Sequence, residues 1–134
     1  NAENTTTTLY DHYGEIVVID YFTEWCPYCR QSAEKVDYYI DEDLTMLSVM
    51  VQNQWGNTPR VEDVERWASA YELDPVTVLA AGDYIKDPSG QRGPDLQAYP
   101  SFIIVDRDMI VREKVMGWSL DLMQDLLDDI KSEE

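Results

Sequence analysis

Residues 16–22 read IVVIDYF, a run in which polar and apolar positions do not alternate. A strand with one wet face alternates, whereas a continuous β-branched and aromatic run belongs in a strand buried on both faces, as in a parallel or mixed sheet with helices on each side. The rest of the chain keeps to that plan. Ala33, Val36 and Ile40 fall at helical spacing and predict an amphipathic helix over about 27–41, and TMLSVMV (45–51) predicts a second buried strand. Residues 53–58 form a polar loop containing Gly56. Pro59 then sits where a helix can start, and Val61, Val64, Ala68 and Tyr71 mark one helical face to about residue 72. VTVLAA (76–81) predicts a third strand, and KDPSGQRGPD (86–95) a long surface loop. Phe102 to Asp106 is a fourth strand, DRDM a turn, and Ile110 to Met116 a fifth strand pairing back on the fourth. Ser119 suits the N-cap of a last helix that buries Leu122, Met123, Leu126, Leu127 and Ile130, with Asp121, Asp125, Asp128 and Asp129 on its wet face. The order β-α-β-α-β followed by β-β-α defines an α/β chain with parallel pairing and an antiparallel edge.

At 134 residues the chain is expected to form one domain over 9–134, behind a flexible polar lead-in over 1–8. It starts at Asn1 rather than Met, which reads as a trimmed start. A hydrophobic content of 44% supports a core that needs no disulfide framework. Ten basic residues face 27 acidic ones, a net charge of −17. Such a surface repels phosphate backbones, so no nucleic-acid partner is expected, and it steers in basic proteins. No apolar run reaches the roughly 18 residues that a membrane span needs.

Both cysteines lie in TEWCPYCRQ (23–31), directly after Trp25. A disulfide closing so small a ring contributes only about 2 kcal/mol through loop closure. A structural zinc site wants four ligands, and the chain offers two cysteines and the lone His12, so no metal is expected. Redox work is the favoured reading. If the strand ends near Thr23 and a helix begins near Pro27, Cys26 sits at a helix N-terminus, where free N–H groups and the dipole favour its thiolate. Cys29, one turn further, should be more buried and resolve the mixed disulfide. Pro27 is tolerated in the first turn. Asp20 interrupts an apolar strand, where a carboxylate is costly unless paired or protonated; it reads either as a hydrogen-bonded acid at a sheet end or as a buried acid that accepts the Cys29 proton through water. Glu24 reads as an exposed charge beside Cys26. Trp55, Trp67 and Trp118 read as core or loop aromatics.

The segment IVVIDYFTEWCPYCR resembles the active-site segment of the thioredoxin superfamily, with Asp20, Trp25, Cys26, Cys29 and Arg30 on matching positions. Tyr99-Pro100 before SFIIVDRD takes the place of that family's cis-proline, and Gly117 that of a glycine lining its substrate groove. The resemblance spans about residues 9–131. It implies a thioredoxin fold, a central mixed β-sheet flanked by helices on both faces. It also implies a thiol-disulfide oxidoreductase acting on protein substrates, with Trp25, Tyr99, Pro100 and Gly117 along the groove and the Cys26–Cys29 disulfide as the only redox group; the chain is expected to be a monomer. The segment between Val51 and Pro100 is similar to TlpA/ResA-type proteins, which implies an extracytoplasmic setting. The chain departs from that group in an N-terminal hairpin that is missing or much shortened, the glycine-free turn DRDM, the bulky Tyr99, and the dipeptide Pro27-Tyr28, which resembles glutaredoxin-type and some oxidising members. The direction of electron flow is therefore left open. The alternatives are a non-catalytic thioredoxin-like binding or chaperone domain and, less favoured because a Thr-x-x-Cys site is taken to be lacking, a peroxiredoxin-like thiol peroxidase.

Overall fold

The computed structural model describes residues 12–73, 78–89 and 94–133. Five strands form one sheet in the order β3-β2-β1-β4-β5: β1 is Ile16–Thr23, β2 Leu44–Gln52, β3 Val78–Ala80, β4 Ser101–Val105 and β5 Val111–Met116. β2 runs parallel to both β1 and β3, whereas β4 is antiparallel to β1 and to β5. β1 is the middle strand, so both its edges are paired. Asp20 lies opposite Ser48 on one side and Phe102 on the other.

The helices are α1 (Pro27–Glu34), α2 (Val36–Tyr39), α3 (Val61–Ala70) and α4 (Leu120–Glu133). The steps from β1 to β2 and from β2 to β3 move the same way across the sheet. Right-handed crossovers therefore place α1 and α3 on a common face. There Phe22, Met50 and Val78 pack against Cys29 and Ala33 of α1 and Val64, Trp67 and Ala68 of α3. Phe22 stacks on Trp67 with ring centroids 4.5 Å apart. Further along, Ile16, Val18, Met46, Phe102 and Ile104 meet Tyr39 of α2 and Met123, Leu127 and Ile130 of α4. Val17, Ile19, Leu47 and Val105 are buried on the reverse side of the sheet. Burial on both faces is what the unalternating run demands.

Local details depart from the sequence reading in four places. The single helix over 27–41 breaks at Lys35 (φ −109°, ψ 10°) into α1 and α2. Val36, Asp37, Tyr38 and Tyr39 are weak helix formers, and the break turns Tyr39 inward onto Phe102 and Trp118. The third strand ends at Ala80 rather than Ala81, and residues 76 and 77, where it is expected to begin, lie outside the described residues. The lead-in over 1–8 also lies outside them. The third helix begins at Val61, after Arg60 in the cap position, rather than at Pro59. Leu122 is 43% exposed, because the stripe of α4 that faces the sheet runs through 123, 127 and 130 and leaves 122 to one side. Ser119 caps that helix as expected, its Oγ accepting from the Leu122 N–H at 3.3 Å. In the glycine-free turn Met109 takes the left-handed conformation (φ 65°), and Asp106 Oδ1 accepts from the N–H groups of Asp108 and Ile110.

Candidate redox site

β1 delivers the chain to Thr23, a turn through Glu24 and Trp25 reverses it, and α1 starts at Pro27. Cys26 is the N-cap of α1 in extended conformation (φ −81°, ψ 119°), and its Sγ accepts from the Cys29 N–H at 3.2 Å. That is a donor from the orphaned first turn aimed at the sulfur, a contact that strengthens when the sulfur is negative. Both cysteines are free thiols. Cys26 is 3% and Cys29 1% exposed, so the expected difference in depth is slight. Trp25 and Tyr28 beside them are exposed.

The second half of the site comes from far along the chain. The Tyr99–Pro100 peptide is cis, and the Tyr99 carbonyl oxygen accepts from the Cys26 thiol at 3.5 Å. The Gly117 N–H donates to the Pro100 carbonyl at 2.8 Å. Gly117 has φ +92°, a conformation that favours glycine. The Trp25 and Tyr99 rings meet edge to face, 6.3 Å apart. The structure thus gathers Trp25, Cys26, Cys29, Tyr99, Pro100 and Gly117 in one place, although Tyr99 lies 73 residues beyond Cys26.

Behind the thiols Asp20 is 5% exposed, and its Oδ1 has no hydrogen-bond partner. Burial pushes its carboxyl up to about 8. Burial also pushes the Cys29 thiol well above its ordinary range, reinforced by its hydrogen bond to Cys26 and by the Asp20 charge, while a backbone hydrogen bond at Thr23 opposes the shift. The Tyr39 phenol is raised by burial and by Asp20, and its hydroxyl lies 3.2 Å from Ser32 Oγ. The space behind Cys29 therefore keeps its groups neutral near pH 7.

Glu24 is a correction: it is 6% exposed. Its carboxylate accepts from Arg66 Nε at 2.7 Å, from Arg66 Nη2 at 2.8 Å and from the Gln54 N–H at 3.0 Å. Arg66 also donates to Asp63, which accepts in turn from Asn53 and from the Arg60 N–H. Arg30 donates to the Glu24 carbonyl. A buried carboxylate needs such partners, and here they tie the cysteine turn to loop 53–60 and α3. Trp55 is exposed with Arg66 over its ring, Trp67 lies in the core, and Trp118 packs on Tyr39 and Phe102. His12 pairs with Glu15. Thr23 is a second correction: it stands three residues ahead of Cys26, so the Thr-x-x-Cys spacing taken to be lacking is present, although its hydroxyl is buried and bonds to no partner. Among the described residues no group of three or more His, Cys, Asp or Glu side chains could hold a metal ion, and no helix is long and apolar enough to cross a membrane.

A five-stranded mixed sheet flanked by helices, with an N-capping cysteine opposite a proline strand start, defines a thioredoxin-superfamily protein. The chain belongs to the AhpC/TSA family, whose model matches residues 1–114. No curated protein sequence matches it. Solved structures share the fold. A thiol:disulfide interchange protein of the thioredoxin family from Chlorobium tepidum superposes with a TM-score of 0.73 at 14% identity, over 96% of this chain and 88% of that one. A DsbF homologue from Corynebacterium diphtheriae gives 0.69 at 18% identity, over 94% and 76%. A secreted disulfide oxidoreductase of Mycobacterium tuberculosis, homologous to E. coli DsbE, gives 0.63 at 17% identity, over 90% and 85%.

Proposed function

We propose that this chain is a thiol-disulfide oxidoreductase that exchanges disulfides with protein substrates through Cys26 and Cys29. The observation that carries the reading is the Cys26 sulfur itself, capping α1 under the Cys29 N–H while facing the Tyr99 carbonyl. In the reducing direction the Cys26 thiolate attacks one sulfur of a substrate disulfide. A new S–S bond forms, the old one breaks, and the second substrate sulfur leaves as a thiolate. Cys29 then gives its proton through water to Asp20 in its carboxylate form, a minority below the raised value of about 8 and the majority above it, and attacks Cys26 Sγ, which releases the first substrate thiolate and leaves the Cys26–Cys29 disulfide. Two electrons pass to the substrate, and the reverse sequence oxidises a dithiol. The disulfide is the redox group, and no metal, flavin or nucleotide enters these steps. Because Cys29 is held as a thiol, its resolving step needs a base, and Asp20 is the buried one beside it. Trp25, Tyr28, Tyr99, Pro100 and Gly117 form the docking groove. The acidic surface favours basic partners, and the reading carries with it a monomer working outside the cytoplasm.

The Cys29→Ser variant should stop after the first step. Incubated with insulin, it should accumulate a mixed disulfide through Cys26, visible as a mass adduct that dithiothreitol removes, while the unaltered protein accumulates none. Absence of an adduct would contradict the order of attack.

A peroxide-reducing reading has one specific observation in its favour, the Thr-x-x-Cys spacing of Thr23 and Cys26 in a member of the AhpC/TSA family. Against it, the Thr23 hydroxyl makes no hydrogen bond to the Cys26 sulfur. Disulfide exchange predicts that Thr23→Val leaves insulin reduction within about twofold, since no hydrogen bond is lost. Rapid hydrogen peroxide consumption that falls steeply in Thr23→Val would favour the peroxidase instead.

A further inference from the structure

Five side chains from four separate segments close a ring of contacts beside the Cys26 thiol. The Trp25 indole N–H donates to Gln52 Oε1 at 2.8 Å. Gln52 Nε2 donates to both carboxylate oxygens of Asp83, at 2.9 and 3.1 Å. Asp83 pairs with Lys86 at 3.1 Å, and the Lys86 ammonium stands 5.7 Å from the centre of the Tyr99 ring. The Tyr99 ring meets Trp25 edge to face, and its carbonyl accepts from Cys26. Gln52 is itself pinned to the cysteine turn, because its carbonyl accepts from the Glu24 N–H at 2.9 Å.

Resting on the disulfide-exchange reading, we propose that this ring sets the spacing of Trp25 and Tyr99 and so recognises the polypeptide that flanks a substrate disulfide, with Gln52 and Asp83 as its positioning residues. Attack on a disulfide requires the substrate sulfur to reach a Cys26 that is only 3% exposed. The half-exposed Trp25, next to Cys26 in the chain, and the part-buried Tyr99, whose carbonyl accepts from the thiol, bring their rings together at that sulfur's end of the groove. A small disulfide offers little beyond its two sulfurs, whereas a polypeptide must also lay its backbone and neighbouring side chains between the two rings. The polar anchoring of both rings runs through the ring of contacts itself. The Trp25 indole is held by Gln52, and the buried Tyr99 hydroxyl makes no well-formed hydrogen bond, the Lys86 ammonium being the cation that acts on it. The Asp83–Lys86 pair is too exposed to add much stability by itself, with side chains 57% and 32% exposed. Its consequence is orientation.

The test compares two disulfides, insulin and the small neutral dipyridyl disulfide, in the unaltered protein, in Gln52→Leu, in Asp83→Asn and in the double variant. In each single variant kcat/KM for insulin should fall about tenfold relative to kcat/KM for dipyridyl disulfide, as expected for loss of a hydrogen bond to a charged group. The fall should appear in KM. The double variant should lose no more than the worse single one, since either change opens the same ring. Equal losses on both substrates, no loss, or multiplying losses in the double variant would overturn the proposal. Failure of the unaltered protein to reduce either disulfide would instead overturn the exchange reading on which it rests.

Discussion

Asp20→Asn is expected to make the fold more resistant to urea than the parent, by a margin that grows with pH. In the folded chain the Asp20 carboxyl is raised to about 8 by burial, whereas in the unfolded chain it ionises near its ordinary value of 3.8. Between these values the unfolded chain gives up a proton that the native state retains, so folding is penalised by Asp20 progressively. The penalty is absent below pH ~4, grows with each pH unit and is complete above pH ~8, reversing the sense of an ordinary salt-bridged aspartate. Over about four units at 1.36 kcal/mol each, the full penalty is about 5 kcal/mol. Removing the titrating group should abolish the slope, whatever constant offset the buried amide introduces. Urea midpoints at pH 4, 6 and 9 check this: the gap between variant and parent should widen steadily, and parallel pH profiles would contradict it. The same substitution should slow formation of the Cys26–Cys29 disulfide by about 100-fold, as loss of a general base does. One change would thus stabilise the molecule and impair it, as is common where a functional site holds an unfavourable group.

Cys26→Ser should reduce insulin-disulfide reduction to the uncatalysed background. The serine hydroxyl is not ionised at neutral pH and cannot form or leave a disulfide, so no residue remains to open the substrate bond. The thermal midpoint of the reduced protein is the informative companion measurement. Cys26 packs in the cluster around Phe22 and Trp67, and serine preserves its size and its capping role at the start of α1. A complete loss of exchange with a small change in midpoint separates chemistry from stability. Retained exchange would remove Cys26 from the mechanism.

The features readable from sequence are those with local signals. The unalternating run 16–22 announced a strand covered on both faces, and it became the centre of the sheet. Asp20 stood out because it broke that run, and its isolation in the core follows from the same apolar neighbours. The Cys26 cap was legible because a strand, a short turn and Pro27 leave few other conformations for it. Thr23 was the exception, a local signal in plain view three residues ahead of Cys26 that the sequence reading took to be absent.

The features that escaped depend on partners distant in sequence. Glu24 looks like any surface acid until α3 brings Arg66 across from 42 positions away. Gln52 and Asp83 carry no motif, and 31 residues separate them. The break at Lys35 follows from Tyr39 finding Phe102 and Trp118, contacts that no helical period encodes. Leu122 is apolar, yet it falls just outside the stripe that meets the sheet. In each case the deciding interaction is tertiary, and local propensity is only a weak prior against it.

The Cys26–Cys29 pair is, above all, held to be a working redox centre rather than a passive staple. Equilibrating the protein in glutathione buffers of graded potential, then alkylating and weighing the free thiols, measures this directly. A working centre should titrate well above about −300 mV, and the midpoint also fixes whether the protein serves as reductant or oxidant. A pair that stays oxidised down to potentials below about −300 mV would identify a structural disulfide and contradict the redox role.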